Sequence, residues 1–501
     1  RRCSDPDELR IAVDYAREHL EYWPVEFQIL DLEDWNGLVK DEFTPRFELI
    51  RIVGDLGGVC HCSLEGSIKA YENILNAPSF QNIESLDLRR WKLDERMLQS
   101  LLTSPNTKHL THLYLGDCEF SDSVVSAFRE LSFETYIESL SIRRDTNLTP
   151  ELLGSLLSAP RMQGLRRLYL EEYGLGVEGA QMLAKVDLPR LRSLRVSESE
   201  VVLGAEGLQM LTKAPWFRQL ERLDLCGNRM GDKGLSVLLE SLNPYTTHLF
   251  LADNSLSNEG IKCLCQHHLP WLECIELGSS DFDDRELDAY NVMHLSEASW
   301  LSHLTHLGLD GCHFDEASLL RIFNAPRSGF LRGLSIAGCG PYIESFGSLI
   351  DCPGLSELQY LNLGFYSLSN EDVLRILTSS WFKQLTHLSL CTDFEHATLE
   401  QFVQSSHFQQ LRQLELSGSS FPGDDLSCFL DSKAFPKLHF LDLSFTDVSK
   451  DSAQRLFQSS NLPELKRVLY GHSELLMTSS ITHTSLLCEC GNGSWAQMFW
   501  F

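Results

Sequence analysis

A chain of 501 residues exceeds the size at which one compact core keeps growing, so it is either several domains or one elongated repeat array. Hydrophobic residues make up 43% and charged residues 22%, with a mean hydropathy of -0.14, the profile of an ordinary folded protein rather than a disordered or membrane-embedded one. The 42 Lys and Arg against 70 Asp and Glu give a formal charge of -28, which repels phosphate backbones and anionic lipid, so neither nucleic acid nor a membrane is an expected partner.

The N-terminus, Arg1-Arg2-Cys3-Ser4-Asp5, is not followed by an apolar stretch, so no signal peptide is expected. The 15 cysteines are odd in number and scattered, which favours a reducing, cytoplasmic setting over a disulfide framework. Cys60-His61-Cys62, Cys263-Leu264-Cys265-Gln266-His267-His268 and Cys488-Glu489-Cys490 lack the paired spacing of a structural zinc site, and no metal or cofactor is expected.

From the N-terminus onward, Asp5-Pro6-Asp7 predicts a helix start running to about Leu20, and Phe27–Leu32 and Phe47–Ile52 predict strands at irregular separation. Residues 1–80 are therefore expected to be an N-terminal cap or non-repeat region, since a repeat array needs atypical ends to cover its apolar faces. From residue 81 to 487 the motif L-x-x-L-x-L returns about fifteen times. Its middle apolar residue falls at Leu86, Leu113, Leu140, Leu168, Leu194, Leu223, Leu249, Ile275, Leu307, Leu334, Leu361, Leu388, Leu414, Leu441 and Val468, at intervals of 26 to 29 residues with one of 32. The longer interval, between Ile275 and Leu307, predicts a loop insertion around Asp288 to Ser296.

Within each unit the alternation of the last two leucines turns them to one face of a short strand, with the residues between them facing outward. Five residues after the register mark stands a small polar or thiol side chain in many units: Cys118, Ser199, Asn228, Asn254, Ser280, Cys312, Cys339, Ser419, Thr446 and Ser473. These predict a ladder that satisfies the backbone at each turn, broken where Trp91, Tyr173 and Tyr366 fill the slot. Leucines at helical spacing follow, as in Leu152-Leu153-Leu156-Leu157, and the helices are expected to stop before Pro78, Pro105, Pro160, Pro215 and Pro326. The C-terminal residues 488–501 carry Trp495, Met498, Phe499, Trp500 and Phe501 and read as a tail.

The unit Leu220-Glu-Arg-Leu223-Asp-Leu225-Cys-Gly-Asn228, with Gly234 six residues after the asparagine, resembles the ribonuclease-inhibitor class of leucine-rich repeat. The Leu-Thr-His-Leu units at Leu110, Leu304 and Leu385 resemble those of large bacterial tandem leucine-rich-repeat proteins. The resemblance implies an α/β solenoid of horseshoe type, parallel strands on the concave face and helices on the convex one, and a protein-interaction module. Units such as Leu307-Gly-Leu-Asp-Gly-Cys312 also resemble substrate adaptors of ubiquitin ligases, although no F-box precedes them in residues 1–80.

The register places Asp87, Arg89, His112, Tyr114, Arg143, Arg167, Tyr169, Glu171, Arg195, Arg222, Asp224, His248 and Phe250 outward on the strand face of the first half. The second half contributes Glu276, His306, Asp310, Tyr360, Asn362, His387, Glu415, Phe440 and Asp442 and is more acidic. Arginine and aromatic residues carry most interface energy, so Arg143, Arg167, Tyr169, Arg195, Arg222 and Phe250 are the expected partner-binding residues. No phosphate loop, H-E-x-x-H or G-x-S-x-G stands at a strand-to-helix turn, and no enzyme is expected. The leading expectation is a scaffold that binds a protein. The alternative is an enzyme regulator, either a ubiquitin-ligase substrate adaptor or a GTPase activator with Arg89 or Arg143 in an exposed turn.

Overall fold

The computed structural model describes residues 30–31, 61–63 and most of 84–476, with gaps at 89–93, 117–119, 131–134, 144–147, 172, 198–200, 280–293, 313–315, 325–330, 339–351, 380, 423–425, 457–458 and 472. The expected helix at 5–20, the strand at 47–52, the tail at 488–501 and most of the expected insertion lie outside the described residues. The chain divides into two compact units, the first built mainly from residues up to Met230 and the second mainly from Gly231 to Ser479.

The first unit contains eight described strands: β1 (Leu30–Asp31), β2 (His61–Ser63), β3 (Ser85–Leu88), β4 (His112–Gly116), β5 (Ser139–Arg143), β6 (Arg167–Glu171), β7 (Ser193–Ser197) and β8 (Arg222–Asp224). Each pairs in parallel with the next, and the register marks sit opposite one another: Leu86 with Leu113, then Leu140, Leu168, Leu194 and Leu223. The parallel ladder also reaches into residues 1–80, where Cys62 pairs with both Leu30 and Leu86.

The second unit carries β9 (His248–Phe250), β10 (Cys274–Glu276), β11 (His306–Gly308), β12 (Gly333–Ser335), β13 (Tyr360–Leu368), β14 (His387–Thr392), β15 (Gln413–Glu415), β16 (Phe440–Ser444), β17 (Arg467–Gly471) and β18 (Ser473–Leu476). Its marks pair in the same way from Leu249 through Ile275, Leu307, Leu334, Leu361, Leu388, Leu414 and Leu441 to Val468. The 32-residue interval leaves the pairing of Ile275 with Leu307 in register, so the additional residues are accommodated outside the ladder. At the far edge β18 turns back antiparallel on β17.

Parallel strands need a crossover, and a helical segment supplies it in most units. The helix Glu95–Thr103 starts at Asp94, whose carboxylate accepts from the Met97 amide at 2.8 Å, and Pro150–Leu157 starts at Thr149, whose hydroxyl accepts from Leu152. The prolines at 105 and 160 do more than stop a helix, since each opens a 3-10 turn, Pro105–Thr107 and Pro160–Gly164, that leads to the next strand. Between strands and helices, the first and last leucines of the motif are buried with the register marks; Leu165, Leu168 and Leu170 are each at most 1% exposed. Where the helices thin out in the second unit, aromatic rings fill the space: Phe402 packs on Phe408 with centroids at 4.7 Å, and Phe408 stacks on Phe435 at 5.0 Å.

The polar ladder forms where residues are described. Asn228 is 1% exposed; its amide group donates to the carbonyls of Val196 at 2.6 Å and Leu225 at 3.0 Å, and its Oδ1 accepts from the Leu203 amide at 3.2 Å. It therefore ties one turn to the preceding repeat. Asn254 donates to Leu251 and Ala252, and Thr446 to Leu443. Tyr173, one of the departures, reaches across to the Leu148 carbonyl. Cutting Asn228 back to Ala leaves buried backbone groups unpaired on two repeats, and the expected cost is about 2–3 kcal/mol, read as a lower urea midpoint at unchanged slope.

Candidate functional site

Alternation along the strands lifts two rows of side chains off each ladder, one just before and one just after the register marks. In the first unit the leading row runs His112, Ser139, Arg167, Ser193 and Arg222 across β4 to β8. The serines leave room for the long side chains between them. Arg167 extends past Ser139, and its Nη2 donates to His112 Nε2 at 2.8 Å. The other nitrogen of His112 meets Thr111 Oγ1 at 2.8 Å, and that hydroxyl donates to the Glu84 carbonyl one repeat back. With the threonine proton committed, the imidazole carries its hydrogen on Nδ1 and accepts on Nε2. Burial, reinforced by Arg167, holds His112 below the usual histidine range.

The second row holds Tyr114, Ser141, Tyr169, Arg195 and Asp224. Arg195 is 4% exposed and lies between two carboxylates, with Nη1 2.7 Å from Glu171 and Nε 2.8 Å from Asp224; its guanidinium sits 5.6 Å from the Tyr169 ring centroid. Burial alone would ease the proton off, but Asp224 and Glu171 outweigh it and bind the proton more firmly than in water. Of the six expected partner-binding residues, Tyr169, Arg195 and Phe250 are thus buried, at 3%, 4% and 0% exposure. Arg143, Arg167 and Arg222 are partly exposed. Five of the six share the first unit, while Phe250 belongs to the second.

The threonine-histidine pair recurs in the second unit as Thr247–His248, Thr305–His306 and Thr386–His387, each at 2.8 Å. Thr305 and Thr386 also donate back to the Glu273 and Gln359 carbonyls, so these pairs fasten one repeat to the one before. Burial, with Arg332 and Arg412 nearby, pushes His306 and His387 down to about 4. The acids of this face move the other way: burial pushes Asp310 up to about 6, and burial together with Asp442 pushes Glu415 up to about 7. Among the described residues no group of three or more His, Cys, Asp or Glu is arranged to hold a metal, and no helix is long and apolar enough to cross a membrane.

The edges of the ladders expose aromatic residues that sequence reasoning missed. Three residues before their strands stand Tyr136, Tyr245 and Trp271, 53%, 63% and 56% exposed; Tyr245 and Trp271 are ring neighbours at 6.2 Å. At the opposite ends, four residues after the mark, the backbone turns left-handed. Gly227, Gly311, Gly338 and Gly418 occupy that slot with φ between 65° and 75°. Phe365, inside β13 where the pairing with β14 shifts register between Leu363 and Ser367, and Phe445, just past β16, occupy it too, with φ of 59° and 56° and exposures of 77% and 69%.

Parallel strands at a 27-residue rhythm, helical crossovers and a buried leucine motif define the leucine-rich-repeat fold, and this chain has it. A family model described as "Leucine Rich repeat" matches residues 218–239. Among curated proteins the chain is 29% identical over 171 residues to the DNA repair protein rhp7 of Schizosaccharomyces pombe, an alignment spanning 33% of this chain and 30% of that protein. Among solved structures it is similar to the yeast complex of Rad7 and Elc1 (TM-score 0.48, 15% identity, 72% of this chain and 88% of that one). It also aligns with an internalin of Listeria monocytogenes (TM-score 0.29, 14% identity, 81% and 94%).

Replacing Arg195 with Met strands two buried carboxylates and should cost about 3–5 kcal/mol in chemical unfolding, part of which Glu171→Gln and Asp224→Asn restore in the same chain. A second expectation concerns pH. Because His387 takes its proton only near 4 in the fold against 6.5 ordinarily, the unfolded chain binds more protons between those values, so the stability this residue leaves intact above pH 6.5 drains away as pH falls toward 4. Raised Glu415 acts oppositely, costing stability above its folded value near 7 and returning it as pH falls toward the ordinary 4.5. His387→Gln should therefore gain on the wild type by roughly 1–3 kcal/mol between pH 8 and pH 4, read as the difference in melting temperature at the two values.

Proposed function

We propose that this chain is a protein-interaction scaffold whose repeats hold a partner along the strand face and its exit edge. The observation that carries this reading is the pair Phe365 and Phe445. A bulky residue in the left-handed region costs of order 1–2 kcal/mol relative to glycine, and Phe365 and Phe445 adopt it while keeping 77% and 69% of their surface exposed. Four other units of this chain use glycine at the same slot, so the fold itself has no need of the ring there. Exposure at a conformational cost is what a contact residue for another apolar surface would show. Arg143, Arg167 and Arg222 are proposed as the polar contacts of the first unit, with Tyr169 and Arg195 shaping that surface from beneath; Phe250 is proposed to play the same part within the second unit. The alternative of an enzyme regulator keeps Arg143 as its candidate arginine, since Arg89 lies outside the described residues.

A second reading, that the partner belongs to a DNA-repair assembly, is favoured by the name of the relative from Schizosaccharomyces pombe. It is read from the proteins that the full chain retains in an affinity capture.

Phe365→Gly and Phe445→Gly separate binding from folding. Each variant should hold or raise the melting temperature, by up to about 1 kcal/mol of relieved strain, while the captured partner is lost or weakened at least tenfold. Undiminished capture by the double variant would remove the exit edge from the interface.

A further inference from the structure

On the strand face of the first unit Arg195 neutralises Glu171 and Asp224, whereas in the second unit Glu415 and Asp442 stand next to each other. The slot after the mark holds Arg195 on β7 beside Asp224 on β8, and in the second unit Glu415 on β15 beside Asp442 on β16. Asp224 and Asp442 are built alike, each accepting from the amide two residues on, Cys226 at 3.0 Å and Ser444 at 2.7 Å. Where Asp224 has an arginine at its side, Asp442 has a second carboxylate one strand spacing away, roughly 4.8 Å. Among the described residues neither Glu415 nor Asp442 is ion-paired, and Arg467 on β17 lies over the Phe440 ring at 5.2 Å.

A second observation converges on the same place. Gln413, two residues before Glu415 on the same face of β15, is only 9% exposed, and its Oε1 has no hydrogen-bond partner. A buried amide oxygen left unpaired costs about 1–3 kcal/mol, so it is a standing demand for a donor. Across the ladder His387 pairs in register with Gln413, and Ser389 with Glu415. The hydroxyl of Thr386 is spent on the Gln359 carbonyl, so the His387 ring carries its hydrogen on Nδ1 and shows Nε2 as another acceptor. The strands β14 to β16 thus gather two carboxylates, an amide oxygen and an imidazole nitrogen, all acceptors; Ser389 donates to Glu415, and Arg412, which acts on His387, is ion-paired to neither carboxylate among the described residues.

From this arrangement we infer that Gln413, Glu415 and Asp442, with His387 beside them, form a subsite for an arginine side chain of the partner protein. The inference rests on the scaffold reading and names the chemistry one part of that scaffold recognises. A guanidinium brings five N–H donors in a planar fork, which spans a carboxylate pair and an amide oxygen on neighbouring strands and supplies here what Arg195 supplies to Asp224 and Glu171. A divalent metal suits the place less well: a hard cation asks for six or more oxygens, and among the described residues no three His, Cys, Asp or Glu side chains are arranged to hold a metal ion. The excess of acid over base in the chain attracts such a side chain at long range.

The probe is the blocked peptide acetyl-Gly-Arg-Gly-amide, titrated by calorimetry into the full chain at pH 8, with the same peptide carrying neutral citrulline as control. The arginine peptide should bind at least tenfold more tightly than the citrulline one, and Glu415→Gln should erase most of that preference while leaving the melting temperature at or above that of the wild type. Gln413→Leu, which removes the orphan oxygen, should weaken the arginine peptide several-fold. At pH 6, with Glu415 largely protonated and Asp442, His387 and Ser389 its facing neighbours, affinity should fall to roughly a tenth of its pH 8 value. Equal binding of the two peptides, equal binding by Glu415→Gln and wild type, or displacement of the arginine peptide by millimolar calcium or zinc would each overturn the subsite. Because the peptide needs no partner, its failure leaves the Phe365 and Phe445 edge standing, whereas a chain that holds the peptide but captures nothing through that edge loses the scaffold reading alone.

Discussion

Everything in this molecule depends on the parallel register of one apolar residue per repeat. Leu168 is buried because Leu140 and Leu194 lie opposite it on either side, and each of those depends on its own neighbour in turn. No single unit can bury its leucines alone, so stability comes from stacking, and the period is what makes stacking repeatable. A slip of one residue in any strand would turn its leucines outward and its arginines, histidines and carboxylates inward. That penalty is why the ladder tolerates the longer interval before Leu307 without a change of register.

The same constraint decides how the strand face handles charge. Side chains one strand apart are near neighbours whether or not their chemistry agrees, and the chain answers in four ways. It inserts small residues, as Ser139 and Ser193 do around Arg167. It completes an ion triad, as around Arg195. It also leaves acids side by side, as at Glu415 and Asp442, where burial and the neighbouring carboxylate together favour the protonated form of Glu415. The threonine-histidine pairs are a further device, in which a hydroxyl holds the neighbouring repeat and accepts the Nδ1 hydrogen of an imidazole that burial and a nearby arginine keep neutral.

Most of the fold was legible in the sequence because the signal is repeated: every register mark read from Leu86 to Val468 lies opposite its neighbour within each unit's ladder. The residues flanking the marks were correctly placed outward, but outward on a parallel ladder does not mean exposed. Tyr169, Arg195 and Phe250 face away from the leucines and are still covered, because side chains on adjacent strands close over one another. Burial of that kind depends on the sizes of three neighbours at once, which no single repeat reveals. Phe365 and Phe445 escaped for a different reason. Their slot is defined by a backbone angle, and its glycine occupants in four other units were the available clue.

The ion triad of Glu171, Arg195 and Asp224 draws on three successive strands, and this has a consequence for how the chain folds. Contacts separated by about one repeat close short loops, so assembly is local and propagates from unit to unit. Ordering β6 and β7 before β8 would bury a guanidinium with one of its two carboxylates absent, a costly intermediate that three units ordering together avoid. The triad therefore couples steps that would otherwise be independent, and makes this stretch of a one-dimensional array fold as a block.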